Sequence, residues 1–242
     1  MKTEAEIFFN LGRKDPLYTL GLIGSIFFGK PRDFLKDSRW FAKNSETSHV
    51  LGTENIPSTR PLVIACNHPR AFELLVGQAQ ITDILGDIHW MVAENFASID
   101  HPKPTRSQRF STWLVSRLHK NYDFIPVPIN YNDPKTKIVE RGMAIRKATA
   151  LLLDQRGSRM VGIFPEGDFE YDDRLLPFHN GVGELGRILA PHISILPTGV
   201  YRDDSGVLTV EFGHPLLVSR SEDAQEITDR VRQEVSLVSR KK

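Results

Sequence analysis

The sequence predicts an α/β fold: a single domain with a mixed, mostly parallel sheet flanked by helices, preceded by an N-terminal helical segment. Three observations carry this reading. After residue 60, short β-rich runs alternate with longer helical patterns, as in βαβ units. Most of those short runs are apolar on both faces, which suits strands covered by helices on both sides of a sheet. Asn67, His68, Glu94, Asn95, Glu166 and Asp168 cluster where these strands end, and open α/β sheets bind ligands outside the carboxyl ends of their strands. The 242 residues suffice for one substantial core.

The chain divides at about residue 45 into an N-terminal helical segment, 1–45, and the α/β domain, 46–242. Pro16 to Gly29 carries no charge and is rich in Leu, Ile and Phe. Its fourteen residues fall short of a spanning helix. Glu4 and Glu6 before it, and the lack of a small-residue cleavage site after it, fit poorly with a signal peptide. Arg13, Lys14, Lys30 and Arg32 flank it, which suits a helix lying in a membrane interface; packing on the core is the alternative.

The strands expected next are Leu62–Cys66, Ile88–Ala93, Phe124–Val127, Met160–Phe164, Ile193–Thr198 and Val207–Phe212. Arg106–Lys120 and Lys135–Gln155 are long enough for crossover helices. The second places Ile138, Gly142, Ile145, Ala148 and Leu152 on one face, and Gly157 ends it. Ile227, Val231, Val235 and Val238 predict a final amphipathic helix.

Composition narrows the function. Thirty-one basic residues against thirty acidic ones leave no global field for nucleic acid. The single cysteine, Cys66, excludes an internal disulfide framework and suits a cytoplasmic setting; the N-terminal apolar segment adds the expectation of peripheral attachment to a membrane. It continues an apolar strand and reads as a buried structural thiol. The eight histidines form no pair at metal-ligand spacing, so no metal is expected. Trp40, Trp90 and Trp113 read as core or interface residues.

His68 is the candidate general base. It ends an apolar strand, and a carboxylate five positions on, Glu73, can hold its ring and stabilise imidazolium. Positions five apart on a continuous helix diverge by about 140°, so Glu73 reaches His68 only if the corner is not yet helical. Pro69 is expected to start the helix that carries Leu74, Leu75 and Val76. A second strand-to-loop transition, Phe164-Pro165-Glu166-Gly167, brackets an acid between a stiff proline and a permissive glycine.

With these two motifs the chain resembles the glycerolipid acyltransferase family, typified by 1-acylglycerol-3-phosphate acyltransferases, whose blocks are Asn-His-x4-Asp and Phe-Pro-Glu-Gly. Val50 to Pro57, Leu176 to Val182 and Ile195 to Val200 are similar to further family blocks in the expected order. The resemblance implies acyl transfer from an acyl-CoA or acyl-carrier-protein thioester to a hydroxyl of a lysophospholipid or related glycerolipid. The donor enters as a substrate, with no permanently bound cofactor. It implies His68 and Glu73 as the catalytic pair and Asn67, Arg70, Glu166, Gly167, Asp168 and Arg174 as substrate-binding residues. Backbone N–H groups near Gly167 are candidate oxyanion donors.

The chain departs from the family pattern at three points. Glu73 stands where aspartate is usual. Asp168-Phe169-Glu170 follow Gly167 where threonine or serine and then arginine are usual. Phe124 to Asn130 lacks the arginine expected near its end. The two missing arginines are expected phosphate ligands. Either the acceptor bears a different head group, or Arg70, Lys135, Lys137, Arg174 or Arg202 supplies the cation. A transacylase or hydrolase using the same base, and a catalytically silent lipid-binding relative, are the alternatives.

Overall fold

The computed structural model describes residues 14–44, 48–69, 71–93, 117, 121–127, 134–167 and 174–240. Two helices come first, α1 (Pro16–Phe28) and α2 (Phe34–Asn44). They are followed by β1 (Ser48–Leu51), β2 (Leu62–Cys66), α3 (Ala71–Leu85), β3 (His89–Ala93) and β4 (Ile125–Val127). After these come α4 (Pro134–Leu153), β5 (Met160–Ile163), α5 (Gly181–Leu189), β6 (Ser194–Arg202), β7 (Leu208–Phe212), β8 (Leu216–Leu217) and α6 (Ala224–Ser239). The strand order is β1-β7-β6-β2-β5-β3-β4, with β8 beside β6. The pairings are parallel except where β6 meets β7 and β8, so the sheet is mixed and mostly parallel as expected.

β2 lies between β5 and β6 and is buried along its whole length. Its alternate side chains feed two cores. Leu62, Ile64 and Cys66 face a layer with Val76, Ile81, Trp90, Val200 and Phe212; Val63 and Ala65 face one with Ala148, Leu152, Leu185, Val231 and Val235. Burial on both faces explains why the strand reads as an unbroken apolar run. Cys66 is buried there, outside any disulfide.

Several expected elements appear with shifted bounds, and three were not foreseen. β6 runs on to Arg202, four residues past the expected end, because it pairs antiparallel with β7 through Arg202 and Leu208. β1 and β8 are short edge strands without a strong apolar signal. The helix α5 is hidden by three glycines in nine residues. They are there for packing: a Cβ at Gly183 would sit 1.8 Å from the Ala224 carbonyl oxygen, and one at Gly186 3.1 Å from Ile227. The helix expected over Arg106–Lys120 and the strand-end residues Glu94 and Asn95 lie outside the described residues, apart from Arg117.

The first two helices share the core of the α/β unit, since Leu22 and Phe41 pack in the cluster that holds Leu62 and Trp90. A buried knot fastens them. The Asp37 carboxylate accepts from Arg32 Nε at 2.5 Å and Arg32 Nη2 at 2.6 Å, from Tyr122 Oη at 2.7 Å, and from the Tyr18 hydroxyl. Asp15 caps α1 by accepting from the Tyr18 N–H at 3.0 Å, and it also accepts from Trp40 Nε1 at 3.2 Å. The opposite side of α1 is apolar, and Leu17, Leu20, Ile23, Phe27 and Phe28 are exposed there. Among the described residues no helix is long and apolar enough to cross a membrane.

Candidate active site

β2, β5 and β6 are neighbours in parallel register, so their carboxyl ends form one rim. Asn67 closes the sheet there. Its side-chain amide acts as a peptide group toward β6: Nδ2 donates to the Val200 carbonyl at 3.0 Å, and Oδ1 accepts from the Val200 N–H at 2.7 Å. The residue is fully buried, so both ends of the amide serve the frame. With the side chain continuing the ladder, the backbone is released to turn into the corner.

His68 sits in that corner, 8% exposed. Its backbone N–H donates to Glu166 Oε1 at 2.5 Å, and the other oxygen of Glu166 accepts from the Leu176 N–H at 2.8 Å. Glu166 is thus a buried bridge between the β2 corner, the turn after β5 and the segment before α5. Charge-assisted bonds to backbone N–H groups are among the stronger ones available to a carboxylate. The second motif therefore reaches the first through Glu166, which holds the backbone of the candidate base.

Phe164 provides the wall. Its ring meets the His68 imidazole edge-on at 5.2 Å between centroids and stacks on Trp90 at 5.0 Å and 12°. Trp90 is fully buried, with Nε1 donating to Thr82 Oγ1 at 3.1 Å. It has room because its partner on β5 is Gly162: a Cβ there would come within 2.3 Å of the indole. Trp90 is a core residue, as the sequence suggests, and it backs the site through Phe164.

The helix α3 begins at Ala71, not at Pro69 as expected. The corner 67–69 is non-helical, but among the described residues no hydrogen bond or ion pair joins Glu73 to His68, and the carboxylate turns to Arg202 instead. Glu73 lies in the first turn, where a carboxylate suits the helix dipole. Its Oε1 accepts from Arg202 Nε at 2.8 Å, with side-chain exposures of 18% and 28%. Arg202 Nη1 also donates to the Gly206 carbonyl at 2.8 Å. Sequence reasoning named Arg202 only as one possible cation; its pairing with Glu73 is tertiary and leaves no local signal.

The remaining expected residues divide. Gly167 is exposed and takes a positive φ of 68°, and a side chain there would meet His179 at 2.8 Å. Its own N–H donates to the Phe164 carbonyl at 3.1 Å, and the N–H groups of the residues that follow it lie outside the described residues. Arg174 is exposed, two residues before the Leu176 anchor. Arg70, Asp168 and the side chains of Lys135 and Lys137 lie outside the described residues. No group of three potential metal-ligating side chains occurs among the described residues.

The Acyltransferase family profile matches residues 47–201, a stretch that holds β1 through most of β6 and both motifs. The chain belongs to the acyltransferase family. No curated protein sequence matches it. Among solved structures it is similar to the 1-acyl-sn-glycerophosphate (LPA) acyltransferase PlsC from Thermotoga maritima, with a TM-score of 0.56 and 16% identity over 98% of this chain and 93% of that one. The likeness extends over the fold, including the two N-terminal helices. In this acyltransferase, then, the family's two motifs meet at one rim, through the Glu166 carboxylate and the Phe164 ring.

Proposed function

We propose that this acyltransferase moves a fatty acyl group from an acyl-CoA or acyl-carrier-protein thioester to a hydroxyl of a lysophospholipid or related glycerolipid at a membrane surface. The observation that carries the reading is the seating of His68. A strand end delivers it to the rim, Glu166 fixes its backbone, and Phe164 fixes its ring plane. The chemistry follows from that placement. His68 takes the proton of the acceptor hydroxyl as its oxygen attacks the thioester carbonyl, and Glu73 stabilises the imidazolium that forms. The tetrahedral intermediate collapses by breaking the C–S bond. The imidazolium proton passes to the departing thiolate, leaving an ester and a free thiol.

The exposed apolar face of α1 supports a peripheral membrane role. Five large apolar side chains are exposed there; full burial of such a side chain is worth roughly 1.5–3 kcal/mol, and Ile23 and Phe27, already half-buried, gain less. Lys14 and Lys30 flank them and are exposed. Such a face suits shallow burial at a headgroup boundary and brings the rim to its lipid acceptor.

Two substitutions in the motifs favour an acceptor other than lysophosphatidic acid. The arginine usual after Phe-Pro-Glu-Gly is replaced, and the one usual near residue 130 is missing. The test offers purified protein radiolabelled acyl-CoA or acyl carrier protein with a panel of lysolipids, with and without phosphate, beside His68→Ala. Transfer by the wild type and its loss in His68→Ala are expected. Equal transfer by both, or none by the wild type with every acceptor, refutes the assignment. For the membrane role, the full chain carrying Leu17→Glu and Phe28→Glu is floated with phosphatidylglycerol–phosphatidylethanolamine vesicles. Flotation equal to wild type removes the anchoring role.

A further inference from the structure

Helix α1 is turned inside out. Asp15, Tyr18, Leu22 and Ser25 follow one another at spacings of three and four, so they share one face. That face meets the protein mostly through polar contacts. Asp15 accepts from Trp40 Nε1, the Tyr18 hydroxyl donates to Asp37 while its ring stacks on Trp40 at 4.6 Å and 15°, and the Ser25 carbonyl accepts from Asn121 Nδ2 at 2.9 Å. Among the described side chains of α1, Leu22 is the one buried apolar group. Leu17, Leu20, Gly24 and Phe27 lie two residues on from these four, about 200° around the axis. The three large ones are exposed, and a Cβ at Gly24 would meet nothing within 4 Å. An ordinary amphipathic helix turns its apolar stripe to the core; this one is held by its polar stripe.

Asp37 is the centre of that hold. It is 1% exposed and accepts from the Arg32 fork as well as from Tyr18 and Tyr122. The Arg32 guanidinium also lies 5.5 Å from the Tyr18 ring centroid, and the Arg32 N–H donates to the Asn121 carbonyl at 2.8 Å. Of the cations that flank the apolar run, Arg32 is therefore turned inward, while Lys14 and Lys30 are exposed.

We infer that α1 meets an anionic lipid surface while still clamped to the α/β unit through Asp37, so that the protein lands on the bilayer in one fixed pose rather than on a helix that swings free. This rests on the peripheral membrane reading above and adds the state of the helix to it. The apolar stripe already faces outward, so leaving the protein would gain α1 little lipid contact. It would expose Leu22 and take the Tyr18 hydroxyl from a buried carboxylate. Charge-assisted bonds also strengthen where water is excluded, as it is beside a bilayer. Lys14 and Lys30, at the two ends of an uncharged run, suit anionic headgroups. In an antiparallel pair of copies the same lysines would face each other, which disfavours a second chain as the occupant.

The experiment uses the full-length chain with Cys66→Ala and nitroxide labels on Gly21→Cys, exposed on α1 with open space around it, and Leu237→Cys, exposed on α6. Dipolar distances between the labels are measured in solution and on phosphatidylglycerol–phosphatidylethanolamine vesicles. Flotation with the same distance distribution in both states is expected. Gly21 stands about 10 Å along the axis from the end of α1 at Phe28, so a swing through a right angle about that end moves the label by about 15 Å. A shift or a second population of that size on vesicles overturns the inference and leaves the membrane role standing. No flotation refutes both. Tyr18→Phe keeps the ring stack and removes the hydroxyl from Asp37; it is expected to float like its parent and to broaden the distribution on vesicles. A distribution as narrow as the parent's overturns the clamp. The chain labelled at Gly21→Cys alone is expected to show no intermolecular distance in solution; one there means that a second copy covers the face, and overturns the lipid as its occupant.

Discussion

Replacing Gly162 with alanine tests the stack behind the candidate base. The added methyl would lie 2.3 Å from Trp90 Cε3 and 2.6 Å from Cδ2 and Cζ3, against an ordinary contact of at least 3.4 Å. The indole must therefore withdraw by about 1.1 Å, and overpacking of this kind costs typically about 1–3 kcal/mol. In a chain of this length that lowers the melting temperature by about 2–12 °C. Trp90 cannot move alone, because Phe164 stacks on it and His68 rests edge-on against Phe164. Transfer activity measured well below the melting temperature is therefore expected to fall further than the folded fraction does. Gly142→Ala is the control: it sits in α4 with nothing within 4 Å of a new Cβ, and it should be neutral or stabilising by up to about 1 kcal/mol. Thermal unfolding and acyl-transfer rates of the two variants decide the matter. A Gly162→Ala protein that melts with the wild type and transfers at the wild-type rate refutes the stack as a support of the site.

Three further substitutions probe the frame. Asn67→Ala leaves the Val200 N–H and carbonyl without their buried partners, a loss of roughly 2–4 kcal/mol that urea denaturation should read as a lower midpoint; an unshifted midpoint refutes the amide's part in the ladder. Glu166→Gln keeps the shape but offers one acceptor oxygen to the two N–H groups of His68 and Leu176. It should cost about 1–3 kcal/mol and reduce transfer, and wild-type stability would refute the bridge. Burial and then the nearby Asp37 charge push the Tyr122 hydroxyl well above its ordinary value. Above pH 10 the unfolded chain has lost that proton while the folded one keeps it. The contribution of Tyr122 to stability is thus full below pH 10 and should fall by ~1.4 kcal/mol per pH unit beyond it; Tyr18 and Tyr201, also raised, add to the same limb, so Tyr122→Phe should make it shallower without abolishing it.

The parts of this molecule legible in its sequence are those with short-range causes. β2 shows itself because burial on both faces demands an apolar run, and the corners at His68 and Gly167 show themselves through their prolines and glycines. The acyltransferase assignment follows from motif order, and the family match over 47–201 supports it. What stayed hidden is what depends on distant partners. Gly183 and Gly186 look like helix breakers until α6 is seen pressed against them. Asn67 looks like a rim ligand until Val200, 133 residues away, takes both ends of its amide. The bond from the His68 N–H to Glu166 spans 98 positions and leaves no local signal either. The Glu73–Arg202 pair spans 129 positions and obeys no periodicity.

The Glu166 bridge also bears on timing during folding. Its bond to His68 closes a loop of 98 residues, and that of Asn67 to β6 closes a longer one. Contacts at such separations incur their loop-closure cost before they return any stability, so they form late. A chain with only its local helices and hairpin in place has a histidine but no seat for it. Any chemistry that needs a seated His68 is thereby withheld from nascent and partly opened chains. Regain of activity during refolding should accordingly trail regain of helix, and the lag would report the last strands to dock.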